Sequence, residues 1–202
     1  MKIIFATGNQ GKMKEIRMIM EDLGLEIVSM KEADINVDIE ENGKTFEENA
    51  YIKAEAIAKL AKDAIVLADD SGLEIDYLNK EPGVHSSRYM GEDTSYEKKN
   101  QHILDLLDGV EEEKRSARFV CTIAAVFPDG TKKVVRETIE GRIGHESKGE
   151  NGFGYDPIFY VPEFGCTTAE LSLEQKNQIS HRGKALEKMK LGIREYLNKG
   201  AC

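Results

Sequence analysis

The chain opens on an apolar run. Lys2 to Thr7 reads as a buried strand, after which Met13, Ile16, Ile19, Met20 and Leu23 recur at helical spacing until Gly24 stops them. Leu25 to Met30 predicts a second strand, and Asp38-Ile39-Glu40-Glu41-Asn42-Gly43 an acidic loop. Thr45 and Glu48 have capping-box spacing, so a helix is expected from about Phe46 to Lys62, with Phe46, Ala50, Ile57 and Leu60 as its apolar stripe. Ala64 to Ala68 predicts a fully buried strand that ends in Asp69-Asp70-Ser71-Gly72. Thr94-Ser95-Tyr96-Glu97 repeats the capping pattern before a helix to about Asp108, and Glu111 to Arg118 reads as a charged surface connection. Arg118 to Phe127 and Lys132 to Arg142 flank the turn Pro128-Asp129-Gly130 and predict an antiparallel hairpin. A glycine-rich loop over Gly144 to Asp156, a strand over Ile158 to Val161 and a helix from about Ser180 to Leu197 complete the pattern. Strands alternating with helices, plus one hairpin, point to an α/β fold in which helices cover a mixed sheet, as a single domain over residues 1–202.

Composition narrows the class. With 40% hydrophobic and 32% charged residues the 202-residue chain is that of a soluble globular protein. Its longest apolar runs, Ala64 to Ala68 and Ile123 to Phe127, fall far short of the roughly 20 residues that cross a bilayer. The start reaches polar turn chemistry too early for the core of a signal peptide, so no membrane partner and a cytoplasmic location are expected. Cys121, Cys166 and Cys202 are odd in number, far apart and without CxxC spacing, and read as reduced thiols rather than as disulfides or a zinc site. The net charge of -9 opposes non-specific binding to a polyanion, so no nucleic-acid partner is expected. A small anionic ligand is still compatible, because a local cluster of lysines, backbone N–H groups and metal overrules the global sign within a screening length of about 8–10 Å.

Five segments carry the residue types for such a cluster. Thr7-Gly8-Asn9-Gln10-Gly11-Lys12 lies between a strand and a helix, where glycines and the first helical N–H groups suit a phosphate, although it lacks Walker A spacing and also fits an ordinary turn with a solvated lysine. Asn49 and Lys53 fall on the apolar face of their helix one turn apart, so Lys53 either snorkels to water or points an ammonium into a cleft. Asp69 and Asp70, at the expected carboxyl end of a strand, either cap a turn or hold a cation between them, for which Mg²⁺ is the natural candidate, with Glu40 or Glu41 as a further ligand. Gly152-Phe153-Gly154-Tyr155-Asp156-Pro157 is either a tight turn with core aromatics or a loop that lays a ring on a planar base. Lys176 with Ser180-His181-Arg182-Gly183 is either a helix cap with solvated charges or part of the same site.

Taken together and in order, these segments are far more specific. Ala6-Thr7-Gly8-Asn9-x-x-Lys12-x-x-Glu15, Thr45-Phe46-x-Glu48-Asn49-Ala50-x-x-Lys53-Ala54, Ala68-Asp69-Asp70-Ser71-Gly72-Leu73, Pro82-Gly83-Val84-x-Ser86-x-Arg88-Tyr89, Gly152 to Pro157 and Ser180-His181-Arg182-Gly183 run from the first strand to the last helix. The chain thereby resembles the inosine/xanthosine triphosphate pyrophosphatase family, hydrolases of non-canonical purine nucleotides, from Ala6 to about Leu186. The resemblance implies an elongated mixed sheet with flanking helices, two lobes around a central active-site cleft, and usually a homodimer. It implies Mg²⁺-dependent hydrolysis of ITP, dITP or XTP to the monophosphate and pyrophosphate. By position, Thr7, Gly8, Asn9, Gln10, Gly11 and Lys12 would hold phosphate, Asp70 would be the catalytic acid/base, and Glu40 with Asp70 would hold the metal. Glu41 is adjacent, so a one-residue shift reassigns that ligand; Glu40 is preferred. Ser71, Phe153, Gly154, Tyr155, Asp156, Lys176, His181 and Arg182 would carry the nucleotide.

The expected chemistry follows from those roles. Lys12, Lys53 and loop N–H groups would neutralise charge on the departing pyrophosphate. Asp70, its pKa depressed beside a metal, would orient or deprotonate the attacking water. Arg182 would donate to the C6 carbonyl that distinguishes hypoxanthine and xanthine from adenine. Two other readings compete: a pyrophosphatase of modified pyrimidine or methylated nucleotides, and a nucleotide-binding sensor without catalysis.

Overall fold

The computed structural model describes residues 1–199; Cys202, expected as a reduced thiol, lies outside the described residues. Among these residues seven strands form one sheet: β1 (Lys2–Phe5), β2 (Glu26–Ser29), β3 (Ile65–Ile75), β4 (Ser116–Val126), β5 (Lys132–Ile143), β6 (Phe159–Val161) and β7 (Cys166–Thr167), in the order β2-β1-β3-β4-β5-β6-β7. The sheet is mixed, because β1 runs parallel to β2 and β3 whereas β6 runs antiparallel to β5 and β7. The helices are α1 (Gln10–Met20), α2 (Phe46–Ala58), α3 (Tyr96–Leu106), α4 (Leu173–Ile179) and α5 (His181–Lys199). None is long and apolar enough to cross a membrane. Cys121 in the core and the half-buried Cys166 form no disulfide among the described residues.

Two compact units share the chain. One comprises residues 1–70, 121–137 and the segment from Arg182 onward; the other comprises 71–120 and 138–181. In the first unit the period-two alternation of the strands sorts side chains onto two faces. Ile3, Phe5, Ile65 and Leu67 pack with Met13, Ile16 and Met20 of α1 and with Ala185, Leu186, Met189 and Ile193 of α5. Ile4, Ala6, Val66 and Ala68 pack instead with Ala50, Ala54 and Ile57 of α2. Each large aliphatic side chain so buried contributes about 1.5–3 kcal/mol. In the second unit Leu73 and Ile75 join Ile103, Leu104 and Leu107, Phe119, Ile139, Ile143, Ile158 and Phe159 in a separate core.

Several element boundaries differ from expectation for identifiable reasons. The strand expected to stop at Ala68 continues to Ile75 as β3, because Leu73 and Ile75 resume the buried alternation and the intervening carboxylates find partners inside the fold. Helix α2 ends at Ala58, so Leu60 leaves the stripe and is 62% exposed. Thr45 caps α2 as expected, accepting from the Glu48 N–H, but the Glu48 carboxylate accepts from the N–H of Lys44 rather than of Thr45. Ser95, not Thr94, caps α3, while the Thr94 hydroxyl donates to the Met90 carbonyl. The expected charged connection before β4 includes a buried arginine, Arg115, that donates to the carbonyls of Leu107, Ile143 and Gly144. Ser180 is extended and separates α4 from α5, and α4, opened by a Ser172/Gln175 capping box, was not expected at all.

Candidate active site

In the first unit the chain leaves β1 through an exposed loop and enters α1 at Gln10. Asn9 caps the helix by accepting the Lys12 N–H at 3.1 Å, and Thr7 Oγ1 accepts the Asn9 N–H at 3.1 Å. A Cβ placed on Gly8 would meet nothing within 4 Å, which leaves open space over the loop beside the helix N-terminus. Lys12 turns its ammonium back to Asp69, 3.0 Å from Oδ2.

The alternation of β3 sends its two aspartates to opposite faces. Asp69 follows Ile65 and Leu67 toward α1 and α5, where Arg182 Nη2 lies 3.3 Å from its Oδ2 and Arg182 Nη1 lies 2.7 Å from Glu15 Oε2. Glu15, Asp69 and Arg182 are all buried. Burial alone would push the Asp69 carboxyl up, but the charges of Lys12, Arg182 and Lys53 hold it well below the usual carboxylate range. Against a similar burial penalty, Asp69 and Glu15 hold the Arg182 guanidinium firmly charged.

Asp70 follows Val66 and Ala68 toward α2. Asn49 Nδ2 donates to Asp70 Oδ2 at 3.1 Å, and Lys53 Nζ stands 3.7 Å from Asp70 Oδ1 and 2.9 Å from Glu41 Oε2. Burial pushes the Asp70 carboxyl above its ordinary value; Lys53 and Asn49 oppose that, and the charges of Glu41 and Asp69 add to it. The expected depression of its pKa is therefore reversed in the protein alone. Burial also works against the Lys53 charge, but Asp70, Asp69 and Glu41 together raise its pKa. Lys53 thus points its ammonium into a carboxylate cluster rather than to water. Glu40, preferred as a ligand from the sequence, is exposed, and Glu41 is the residue that meets Asp70 across Lys53.

No three His, Cys, Asp or Glu side chains gather into a metal cage among the described residues. Glu41 and Asp70 nevertheless present two hard oxygen donors around one cation. That set suits an ion such as Mg²⁺, which commonly uses one or two carboxylates and completes its shell with water and phosphate.

The second unit holds the remaining candidates. Asp156 accepts from the Phe153 N–H at 2.8 Å and the Thr168 hydroxyl at 2.9 Å, and Lys176 Nζ lies 2.7 Å from it and 4.6 Å above the Phe153 ring. Gly152 is obligatory there, since at φ +77° a Cβ would lie 2.2 Å from Asp156 Oδ2. Asn100 donates to the Gly154 carbonyl, and the buried Tyr155 hydroxyl, its pKa pushed up by burial, donates to the Ser86 carbonyl. His181 stacks on Phe119 with centroids 4.9 Å apart, and Ser71 is half-buried beside Asp70 in β3.

Lys12, Lys53, Asp69, Asp70 and Arg182 therefore meet in one ionic network, and Phe153, Asp156 and Lys176 in another cluster. Arg182, expected to donate to the base, is 3% exposed, and its guanidinium meets Asp69 and Glu15. Glu15 was visible only as one position in the first motif. Asn100 carried no signal beyond a polar residue on an amphipathic helix.

The chain is similar to known proteins over nearly its whole length. The model of the Ham1 family matches residues 3–191. A dITP/XTP pyrophosphatase of Clostridium perfringens is 48% identical over 201 residues, covering 97% of this chain and 98% of the relative. One of Caldanaerobacter subterraneus subsp. tengcongensis is 50% identical over 200 residues, covering 98% and 97%. The structure of the Staphylococcus aureus Ham1 protein superposes with a TM-score of 0.85 at 44% identity over 97% of this chain and all of that one. A HAM1 protein from Coxiella burnetii gives a TM-score of 0.86 at 42% identity, over 96% and 99%.

Proposed function

The chain belongs to the Ham1 family, and on that premise we propose that it hydrolyses non-canonical purine nucleoside triphosphates, namely dITP, ITP and XTP, to the monophosphate and pyrophosphate. One observation carries the proposal: Asp70 and Glu41 meet at the Lys53 ammonium, and the neighbouring Asp69 holds Lys12 beside the open start of α1. Such an arrangement has no use in a plain nucleotide sensor, but it suits a reaction that gathers negative charge and then releases more of it.

The roles follow from the contacts. Backbone N–H groups at the start of α1, with Thr7 and Lys12, bind the polyphosphate. Asp70 orients the attacking water and takes its proton, the water oxygen bonds to the α-phosphorus, and the anhydride bond to the β-phosphate breaks. Lys53 and Lys12 offset the charge that develops on the departing pyrophosphate. Glu41 with Asp70 would hold Mg²⁺, which supplies Lewis-acid polarisation of phosphate oxygens when bound. The family resemblance assigns Ser71, Lys176, His181 and the loop Phe153 to Asp156 to the nucleoside. Backbone donors facing the C6 carbonyl would reject adenine, whose amino group leaves each buried donor unsatisfied at about 1–3 kcal/mol. Arg182 positions Asp69. The homodimer and the cytoplasmic location stand as parts of the same proposal, the first open to light scattering.

The test is pyrophosphate release across ITP, XTP, dITP, GTP, ATP and dUTP, with Mg²⁺ and with chelator. The expected result is turnover of ITP, dITP and XTP at a kcat/KM at least about a hundredfold above that of ATP, abolished by chelation. Preference for dUTP, or nucleotide binding with no pyrophosphate released, overturns it.

A further inference from the structure

The mechanism makes no use of the buried Asn49 amide. Asn49 is fully buried on α2, one helical turn before Lys53. Its Nδ2 donates to Asp70 Oδ2 at 3.1 Å, and its Oδ1 accepts the Gly43 backbone N–H at 2.8 Å. These partners define the orientation of the amide. A backbone N–H can only donate, so the oxygen must face Gly43, which leaves the NH₂ group for the carboxylate. Turning the amide over would set donor against donor and oxygen against oxygen.

The loop is shaped for this contact. A Cβ on Gly43 would lie 2.6 Å from Asn49 Oδ1, 2.7 Å from Glu48 Cβ and 3.0 Å from the Asn49 nitrogen. Glycine is needed there for space, so that the loop can rest on the first turns of α2. Two residues earlier the same loop delivers Glu41 to Lys53. Asn49 and Lys53, at positions i and i+4, thus address the two oxygens of Asp70 separately: Oδ2 from the amide and Oδ1 from the ammonium.

We propose that Asn49 is a positioning residue for the reaction: anchored on the Gly43 N–H, it holds Asp70 Oδ2 and so turns Oδ1 toward the reacting groups. The inference rests on the reading of Asp70 as the catalytic carboxylate. It differs from simple satisfaction of a buried carboxylate in what its removal does, since misdirecting a catalytic group by about 1 Å costs about a hundredfold in rate while leaving remote binding contacts in place.

The closing experiment uses Asn49→Leu, which keeps the shape of the side chain, adds no charge and removes both the donor to Asp70 and the acceptor for Gly43. With dITP and saturating Mg²⁺, kcat should fall about a hundredfold while KM stays within about threefold. Gly43→Ala, which forces the loop off the amide and moves Glu41 with it, should lower kcat at least as far. A folded Asn49→Leu with kcat within threefold of wild type, or one whose loss lies in KM, overturns the proposal. Should the variants not fold, the wild-type protein decides: with ¹⁵N-asparagine labelling and no metal, the Asn49 NH₂ protons should exchange slowly and shift on Asp70→Asn. Exchange at the rate of an exposed amide also overturns it. Failure of the wild type to release pyrophosphate would count against the functional reading instead, and the NMR result stands apart from that outcome.

Discussion

Asp69 and Asp70 are consecutive in one strand, yet they live in opposite electrostatic worlds. Asp69 faces Lys12 and Arg182, with Glu15 balancing the far side of the guanidinium, and its carboxyl is held far below the usual range. Asp70 faces one lysine that it shares with Glu41, and burial pushes its carboxyl up. The first carboxylate is matched by cations within the fold and acts as a fastener between β3, α1 and α5. The second shares the Lys53 ammonium with Glu41, and burial disfavours its charged form. A side-chain period of two places back to back an acid paired within the fold and the acid proposed to do the chemistry.

The sharpest way to break this contrast is to neutralise each acid in turn. Asp70→Asn should lower kcat/KM for dITP by about a thousandfold, through lost proton transfer and lost electrostatics, while leaving the melting temperature unchanged or higher. Near wild-type turnover at saturating Mg²⁺ removes Asp70 from the mechanism. Asp69→Asn should do the reverse and cost about 3 kcal/mol of stability, because it leaves a buried guanidinium short of a partner. In a chain of this size that is a drop of roughly 6–12 °C in Tm. A loss below about 1 kcal/mol in urea unfolding would show that Arg182 is satisfied by Glu15 alone.

The two acids also have opposite signs in their pH dependence, which gives a smaller but independent effect. Asp69 is depressed in the fold relative to an unfolded value of about 3.9, so the stability it contributes is complete above about pH 4 and drains away as the pH falls toward its folded value. Asp70 is raised in the fold, so its ionisation costs stability as the pH rises past about 4. Urea unfolding between neutral and acid pH should therefore show a shallower loss on acidification in Asp69→Asn than in wild type, and a steeper one in Asp70→Asn. Parallel curves for all three proteins would mean that neither group is coupled to folding as described.

Much of this could be read before any coordinates, and the failures have a common cause. Strands with uninterrupted apolar runs were legible, as was the hairpin, because their signals are local. The end of β3 was misread because two aspartates in a row look like a strand terminus when the partners that keep them buried are far along the chain; Arg182 is 113 residues from Asp69. Lys53 stood out as a cation on an apolar face, a local anomaly, and in the structure its ammonium lies 2.9 Å from Glu41 and 3.7 Å from Asp70. Glu15 could not be distinguished from a solvated glutamate, since its partner Arg182 lies 167 residues away. The choice between Glu40 and Glu41 depended on which way one loop residue faces, and no periodicity governs that. Helix α4 was missed although Ser172-Leu173-Glu174-Gln175 carries a capping signature, because no apolar stripe follows it.

Lys12 is the residue that could blur the contrast, because it touches Asp69 while standing at the end of the Thr7–Lys12 segment proposed to bind phosphate. Its side chain keeps 20% exposure, and its ammonium lies 3.0 Å from Asp69. If it served only the fastener, Lys12→Ala would weaken folding and leave turnover intact. Arg182 remains on Asp69 in that variant, so the loss of stability should stay under about 1 kcal/mol for a partly exposed pair. The loss in kcat/KM for dITP should be about tenfold, the share of one charge-assisted contact to phosphate, and it should shrink as ionic strength rises, since screening weakens a solvent-facing cation first. Steady-state kinetics at low and high salt, beside urea unfolding of the same variant, separates the two roles. An unchanged kcat/KM with a clear drop in stability would assign Lys12 wholly to Asp69 and leave the phosphate to the backbone of α1.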